Sequence, residues 1–357
     1  MQYLGTTGLK LIAAGGVILA GAVTTATPVT AQEVSWRAVT HQLPGTARFE
    51  GTIPPFAECV ADASGGRMEI EAFGGGVLLP VTDTLDAVTN GIVQMAMIWP
   101  GYWAGRNPVF ALAGSRPGDP ITEFGESFFR AERMHDLMVD VYAAEGVTFL
   151  GAFDFGPPEI VNSNVRVESL ADFQGQRIRA AGIGATFYNE LGASAVQLTG
   201  TEIYQALQLG TVEMAEFNDW LVNYEMGFHE VSRYVIEPAT HTGAVEDKDL
   251  IVNPAAWNGL DEDLQAIVLA CRDRARYLSA IAYGVGNMQS KQQWLDGGTE
   301  IIDLPEEDVV EARLIGARVI RDFAERNPQA AEYVRLYAEV LDELGHDEMA
   351  DLLRAED

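Results

Sequence analysis

QRIRAAGIGATFYNELGASAVQLTGTEIYQALQLGTVEMAEFN, Gln176 to Asn218, decides the fold class of this chain. It opens as a short strand, QRIRAAG, and turns through glycines into the helical TFYNELG. It returns as the strand ASAVQL, continues as the helix TEIYQALQLG and ends in the strand VEMAEFN. Strands and helices alternating at this spacing make an α/β sheet. In open α/β sheets ligands sit beyond the carboxyl ends of the strands, and the first strand carries Arg179 to that end. Side chains alternate along a strand, so Arg177 and Arg179 share one face while Ile178 takes the other. A guanidinium at a cleft mouth offers a planar fork of donors that suits a carboxylate held by two parallel hydrogen bonds. A strand arginine on the surface pairs instead with a neighbouring acid, which is the expectation for Arg177.

The same rhythm extends upstream. VSWRAVT (Val34 to Thr40) alternates as a strand, and RFEGTIPPFAECVADASGG reads as one helix closed by Gly65 and Gly66. RMEIEAF is a strand and TDTLDAVTNG a short helix. VQMAMIW is a nearly continuous apolar strand of the kind buried on both faces. A helix from about Glu123 to Gly146 leads to the strand VTFLGAF, and the Gly/Pro stretch DFGPPEIVNSN marks a crossing between domains. A second crossing falls in EPATHTGAVEDKDLIVN, which ends in a strand at Leu250 to Val252. Helices follow over Asp261 to Leu295, Glu306 to Glu325 and Gln329 to Leu353.

The first residues have the layout of an export signal: Lys10, the apolar LIAAGGVILAGAV, and VTA before Gln32. The expected mature chain starts at Gln32. The roughly 325 residues that remain suffice for two cores, since single cores stop growing near 250 to 300 residues. Two lobes are therefore expected, one from 32–155 with part of about 243–300, the other from 156–242 with part of about 300–330. Helices over 305–357 are expected to pack across both. A cleft between such lobes is a natural site for a small ligand, and the lobes can close on it by hinge motion.

A formal charge of −29, from 23 basic and 52 acidic residues, argues against nucleic acid and anionic membrane surfaces as partners. Cys59 and Cys271 are too few for a disulfide scaffold and lack metal-ligand spacing, so buried free thiols are expected over a single bridge. The motifs Gly-x-Ser-x-Gly, His-Glu-x-x-His, the P-loop and the EF-hand loop are absent. GIGATF lacks the third glycine or alanine of a dinucleotide fingerprint; its glycines read as a turn that leaves room for a ligand. His41, His135, His229, His241 and His346 show no i, i+4 pairing and read as surface or packing residues. Carboxylate pairs are too common in so acidic a chain to identify an acid/base catalyst.

The blocks SLADFQGQRIRAAGIGATFYNELGASAVQLTGTEIYQALQLGTVEMAE and ASGGRMEIEAFGGGVLLPVTDTLDAVTNGIVQMAM together resemble the extracytoplasmic solute receptors of TRAP (tripartite ATP-independent periplasmic) transporters. The resemblance spans nearly the whole mature chain. It implies a two-lobed α/β periplasmic binding protein fold with long C-terminal helices. It also implies a periplasmic protein, not an enzyme, that captures a small organic acid and delivers it to membrane subunits. The arginine matching Arg179 holds the substrate carboxylate in that family. YWAGRNPVFAL (Tyr102 to Leu112) is similar to the branch that binds 2-oxo and 2-hydroxy acids, which makes Tyr102 and Trp103 candidate wall residues.

That branch carries Glu-Trp where this chain has Glu216 and Phe217, so Phe217 keeps an aromatic wall without an indole donor. Some members bridge ligand and protein with a metal ion, using a glutamine that falls at Pro158 here. No metal is expected in this chain, and Glu216 is the residue left to coordinate one. Other members place a second arginine near PPEIVN, where this chain offers Glu159. That exchange of sign implies a monocarboxylate, with a hydroxyl or amino group facing Glu159 or Glu216 as a hypothesis. Some relatives dimerise through their C-terminal helices; internal packing is the expectation here. Two alternatives stand beside the receptor reading: an exported enzyme that positions an organic acid on Arg179 and uses Glu216 or Glu159 as a base, and a receptor for a sensor partner.

Overall fold

The computed structural model describes residues 34–243 and 247–355. The expected leader and the start at Gln32 lie outside the described residues. The chain begins with β1 (Val34–Thr40), α1 (Ala47–Glu50), α2 (Ile53–Ala63), β2 (Met68–Phe73), α3 (Thr84–Thr89), β3 (Met95–Ile98), α4 (Pro108–Gly114), α5 (Phe124–Ala144) and β4 (Thr148–Phe155). A second group follows: β5 (Val161–Ser163), β6 (Arg177–Arg179), α6 (Gly182–Glu190), β7 (Ser194–Val196), α7 (Gly200–Gln208), β8 (Met214–Glu216), α8 (Trp220–Glu225) and β9 (Tyr234–Glu237). The remainder is β10 (Asp247–Val252), α9 (Pro254–Asn258), α10 (Glu262–Asp296), β11 (Glu300–Asp303), α11 (Glu306–Ala324), α12 (Pro328–Glu343) and α13 (Asp347–Arg354).

Two sheets result, ordered β2-β1-β3-β10-β4 and β11-β9-β5-β8-β6-β7. In the first, β2, β1 and β3 run parallel and β10 inserts antiparallel between β3 and β4. In the second, β7, β6 and β8 are parallel to one another, and β5 is antiparallel to β8 and β9. The apolar run read as a doubly buried strand shows why the first sheet is covered on both faces. Met95 and Met97 enter one core with Phe56, Val60 and Val268, while Ala96 and Ile98 enter another with Phe110 and Tyr142. The second sheet is filled in the same way, Ile178 and Met214 on one side, Ala215 and Val235 on the other.

The long helix α10 passes from lobe to lobe. Leu264, Val268 and Cys271 pack under the first sheet, and Trp294 packs under the second. Next, β11 pairs with β9 in the second sheet, and α11 shares Ala312 and Ile315 with that lobe but Ala317 and Ile320 with the first. The final helices do not continue this bridging: Tyr333, Tyr337 and Leu341 of α12 and Met349 and Leu353 of α13 lie in the first lobe's core.

Three further departures from the sequence reading have simple causes. The helix expected over 48–66 is two helices, because Pro54 and Pro55 fit only in a first turn and α2 must start afresh before them. The helix expected over 329–353 breaks at Gly345, whose φ is +82°. Cys59 and Cys271 are not free thiols: they form a disulfide between α2 and α10, with Cα atoms 5.7 Å apart. Both helices cover the same face of the first sheet, a proximity that spacing 212 residues apart in the chain does not disclose.

Candidate functional site

A cavity lies between the lobes. The first lobe contributes His41, Gln42, Trp99, Tyr102 and Lys248; Arg179, Glu216, Phe217 and Asn218 come from the second, and Glu159 from the segment that crosses between them. Space open to the centre of a water-sized sphere amounts to about 30 Å³, against the roughly 10–15 Å³ that one water needs. Only a small ligand fits.

The second lobe's register explains how its charged pair meets. Parallel pairing sets Arg179 opposite Ala215, so Glu216 follows at the same carboxyl edge of the sheet. Arg179 is 3% exposed although Arg177, two residues earlier, is solvent-exposed and paired with Glu213. Arg179 donates from Nε to the Leu198 carbonyl (3.0 Å) and from Nη1 to the Glu216 carbonyl (2.7 Å) and Glu216 Oε2 (3.1 Å). Among the described residues Nη2 makes no hydrogen bond, so half of the terminal fork remains for a ligand rather than the whole of it. The guanidinium carbon sits 5.3 Å from the centre of the Phe217 ring, an arrangement that favours the cation.

Glu216 is held firmly. Its Oε1 accepts the Ala181 N–H at 2.6 Å, and its Oε2 lies 3.8 Å from His241 Nε2. Glu159 Oε2 is 2.8 Å from the same His241 nitrogen, and Tyr188 Oη is 2.9 Å from His241 Nδ1. Burial, and then the Arg179 charge, push the imidazole down to about 3, so the ring is neutral near pH 7. Tyr188 is fully buried, and that burial, with Glu216 and Glu159 near, raises its phenol well above the usual value and keeps the O–H as a donor. One nitrogen of the neutral ring donates and the other accepts, so His241 links Tyr188 to Glu159 in a single chain of hydrogen bonds.

Of the residues singled out from sequence, Arg179, Glu216, Phe217, Tyr102 and Glu159 line the cavity. Trp103 does not. Its indole donates to the Thr82 carbonyl at 3.0 Å and its ring packs in the first lobe's core. Trp99 is the tryptophan of the cavity wall, steadied by a bond to the Gly114 carbonyl (2.9 Å) and an edge-on contact with Tyr102. The glycines after β6 make room for these protein groups rather than for ligand. Gly182 has φ +56°, and a Cβ there would stand 3.3 Å from Trp99; a Cβ at Gly184 would stand 3.3 Å from His241. His241, read as an ordinary histidine, is thus part of the site, and Lys248 places a buried cation in the cavity wall where a second positive group was thought missing. Neither carries a local sequence signal, since each is defined only by what faces it across the cleft.

Behind the cavity an ionic cluster ties the lobes together. Arg48 of α1 is fully buried, reaches Asp154 of β4 at 3.2 Å and Asp219, the N-cap of α8, at 2.5 Å, and lies over the Tyr283 ring of α10. Close by, the Ala47 N–H donates to Glu225 at 2.9 Å. These contacts join residues of both lobes.

Residues 40–327 match the family model DctP, described as bacterial extracellular solute-binding protein, family 7. The chain belongs to this family. It is a TRAP-type extracytoplasmic solute receptor, as its central and N-terminal blocks implied, and family 7 members of this type hand their ligands to membrane subunits. Among its relatives is a monocarboxylate 2-oxoacid-binding periplasmic protein of Nostoc sp., 25% identical over 82% of this chain and 80% of that protein. A TRAP transporter solute-binding protein from Bordetella bronchiseptica superposes with a TM-score of 0.79 at 22% identity, covering 89% of this chain and 95% of its own; it was solved as a mixed-occupancy dimer with copurified calcium and picolinate. Another from Colwellia psychrerythraea, with bound calcium and pyruvate, gives 0.76 at 21% identity over 88% and 96%. The two structural likenesses speak for the two-lobed family 7 fold. Family 7 members are binding receptors rather than enzymes. No helix among the described residues is long and apolar enough to cross a membrane.

Proposed function

We propose that residues 1–31 direct export, and that in the periplasm the protein captures a small monocarboxylic acid of the 2-oxo or 2-hydroxy class and delivers it to TRAP membrane subunits. The observation that carries this reading is a buried guanidinium, Arg179, with Nη2 uncommitted at a small cavity between lobes. A carboxylate there completes the arginine's hydrogen bonding in a desolvated site, where charge-assisted bonds are strong. Lys248 from the opposite lobe adds a second cation to the same cavity, so an anion bound between them favours closure. The large negative formal charge of −29 does not oppose this, because salt screens exposed carboxylates beyond about 8 Å at physiological ionic strength.

A bridging calcium or sodium fits this cavity poorly. Glu159, Glu216 and His241 present ligand atoms within 4.8 Å of one another. Calcium, however, takes six to eight oxygens, and here Pro158 has no ligand atom in its side chain, both ring nitrogens of His241 are engaged, and Arg179 stands 3.1 Å from Glu216 Oε2. The reading is accordingly of a ligand bound by the protein's own groups without a bridging ion. A thermal-shift screen of the exported protein against an organic-acid library tests the reading: small monocarboxylates should raise the melting temperature. Indifference to every acid would exclude it.

A further inference from the structure

The helix α10 carries two apolar faces, and the fold of one chain uses only one of them. Leu264, Val268, Cys271 and Ala275 enter the first lobe's core and Trp294 the second's. The other face lies in solvent: Leu278 is 42% exposed, Ile281 50%, Val285 46%, Met288 68% and Leu295 42%, and the exposed Gln292 falls between the last two. These six positions are spaced alternately three and four residues apart, the a/d repeat of a coiled-coil seam, over about 25 Å of helix. An apolar strip of that length left in water marks a surface that another molecule covers. Charge indicates the occupant. No charged side chain is exposed from Tyr277 to Gln289, although the chain carries a formal charge of −29. Two copies repel each other over a surface so acidic, and an uncharged strip is where they can meet. A basic partner would instead be drawn to the acidic faces. Beyond the strip stand the exposed Arg274 on one side and the exposed Asp296 on the other. Antiparallel pairing brings each near its opposite and opposes the two helix dipoles, whereas parallel pairing sets like against like.

We propose that two copies of this chain pair antiparallel through α10, seam against seam, about a twofold axis between Val285 and Met288. The same patch then serves both partners, as a closed twofold interface requires. A strip one helix wide is smaller than a standard interface, so the dimer dissociates on dilution. The pairing is independent of the ligand, because no residue of α10 lines the cavity.

Sedimentation equilibrium of the full exported protein at physiological salt tests this. Across the micromolar range the mass should rise from one chain towards two. Ile281→Glu with Met288→Glu places acids in the seam at exposed positions and should raise the dimer dissociation constant about tenfold or more. The melting temperature of that variant in dilute solution checks its folding. A spin label on Arg274→Cys should then lie roughly 40 Å from its mate in an antiparallel pair, against about 10 Å in a parallel one. A single-chain mass at every concentration would overturn the proposal and leave the strip to the membrane subunits; that measurement needs no variant. A dimer that the folded double variant forms as readily would overturn it too, and labels close together would overturn the antiparallel pairing. None of these outcomes bears on the organic-acid reading.

Discussion

Arg177 and Arg179 leave β6 on one face, two residues apart, yet one ends in solvent and the other in the cleft. Position along the strand separates them: Arg177 meets Glu213 at the outer edge, while Arg179 reaches the carboxyl end where the lobes face each other. Arg179→Ala should weaken binding of an acid found by the thermal screen by about 2 to 5 kcal/mol, the usual cost of removing one partner of a buried charge pair. Arg177→Ala should change it by less than about 0.5 kcal/mol, as expected at the surface. Isothermal titration of both variants measures the contrast, and equal effects would remove Arg179 from its special place. Alternation and strand polarity made Arg179 legible in sequence. His241 and Lys248 were not legible, because each takes its role from residues on other elements.

Among elements, α2 and α10 are joined by the Cys59–Cys271 bridge across the same face of the first sheet. A cross-link closing so long a loop restricts the unfolded chain strongly, on the order of 5 kcal/mol in the chain-entropy account. Replacing both cysteines with serine should lower the urea midpoint, and reductant should lower that of the unaltered protein to match. Acid affinity should stay the same, because neither cysteine lines the cavity. A midpoint unmoved by reductant would refute the contribution. The α/β alternation of these elements was readable because their apolar periods are local; the pairing of two cysteines was not, since helices packed side by side share no pattern in sequence. Short elements such as β5 and β9 carry no sequence signal for a related reason. Each is too brief to establish a period, and pairing to neighbouring strands makes it a strand.

At the scale of the molecule, Arg48 is the tie between lobes, held by Asp154 of the first and Asp219 of the second. Asp219→Asn keeps the shape and leaves Arg48 paired with Asp154, while weakening the attraction across the cleft. A ligand that closes the lobes should reduce the radius of gyration in small-angle scattering. The Asp219→Asn protein should contract less at the same acid concentration and bind more weakly. Identical contraction would show that the cluster does not favour closure. The chain's two-lobed plan was visible in its length, its repeated α/β rhythm and its Gly/Pro crossing. Which helices bridge the lobes was not: α10 and α11 do, whereas α12 and α13 fold back on the first lobe.

By itself the amino-acid sequence determined the α/β class and the strand-end place of Arg179, because apolar period, strand polarity and turn residues act over a few positions; the family was carried by the resemblance of its central and N-terminal blocks. Tertiary structure alone decided that Arg179 shares its fork with Glu216, that Trp99 rather than Trp103 walls the cavity, and that His241 orients Glu159. Those relations depend on distances between residues far apart in the chain, and only the packing of two lobes around one cleft sets them.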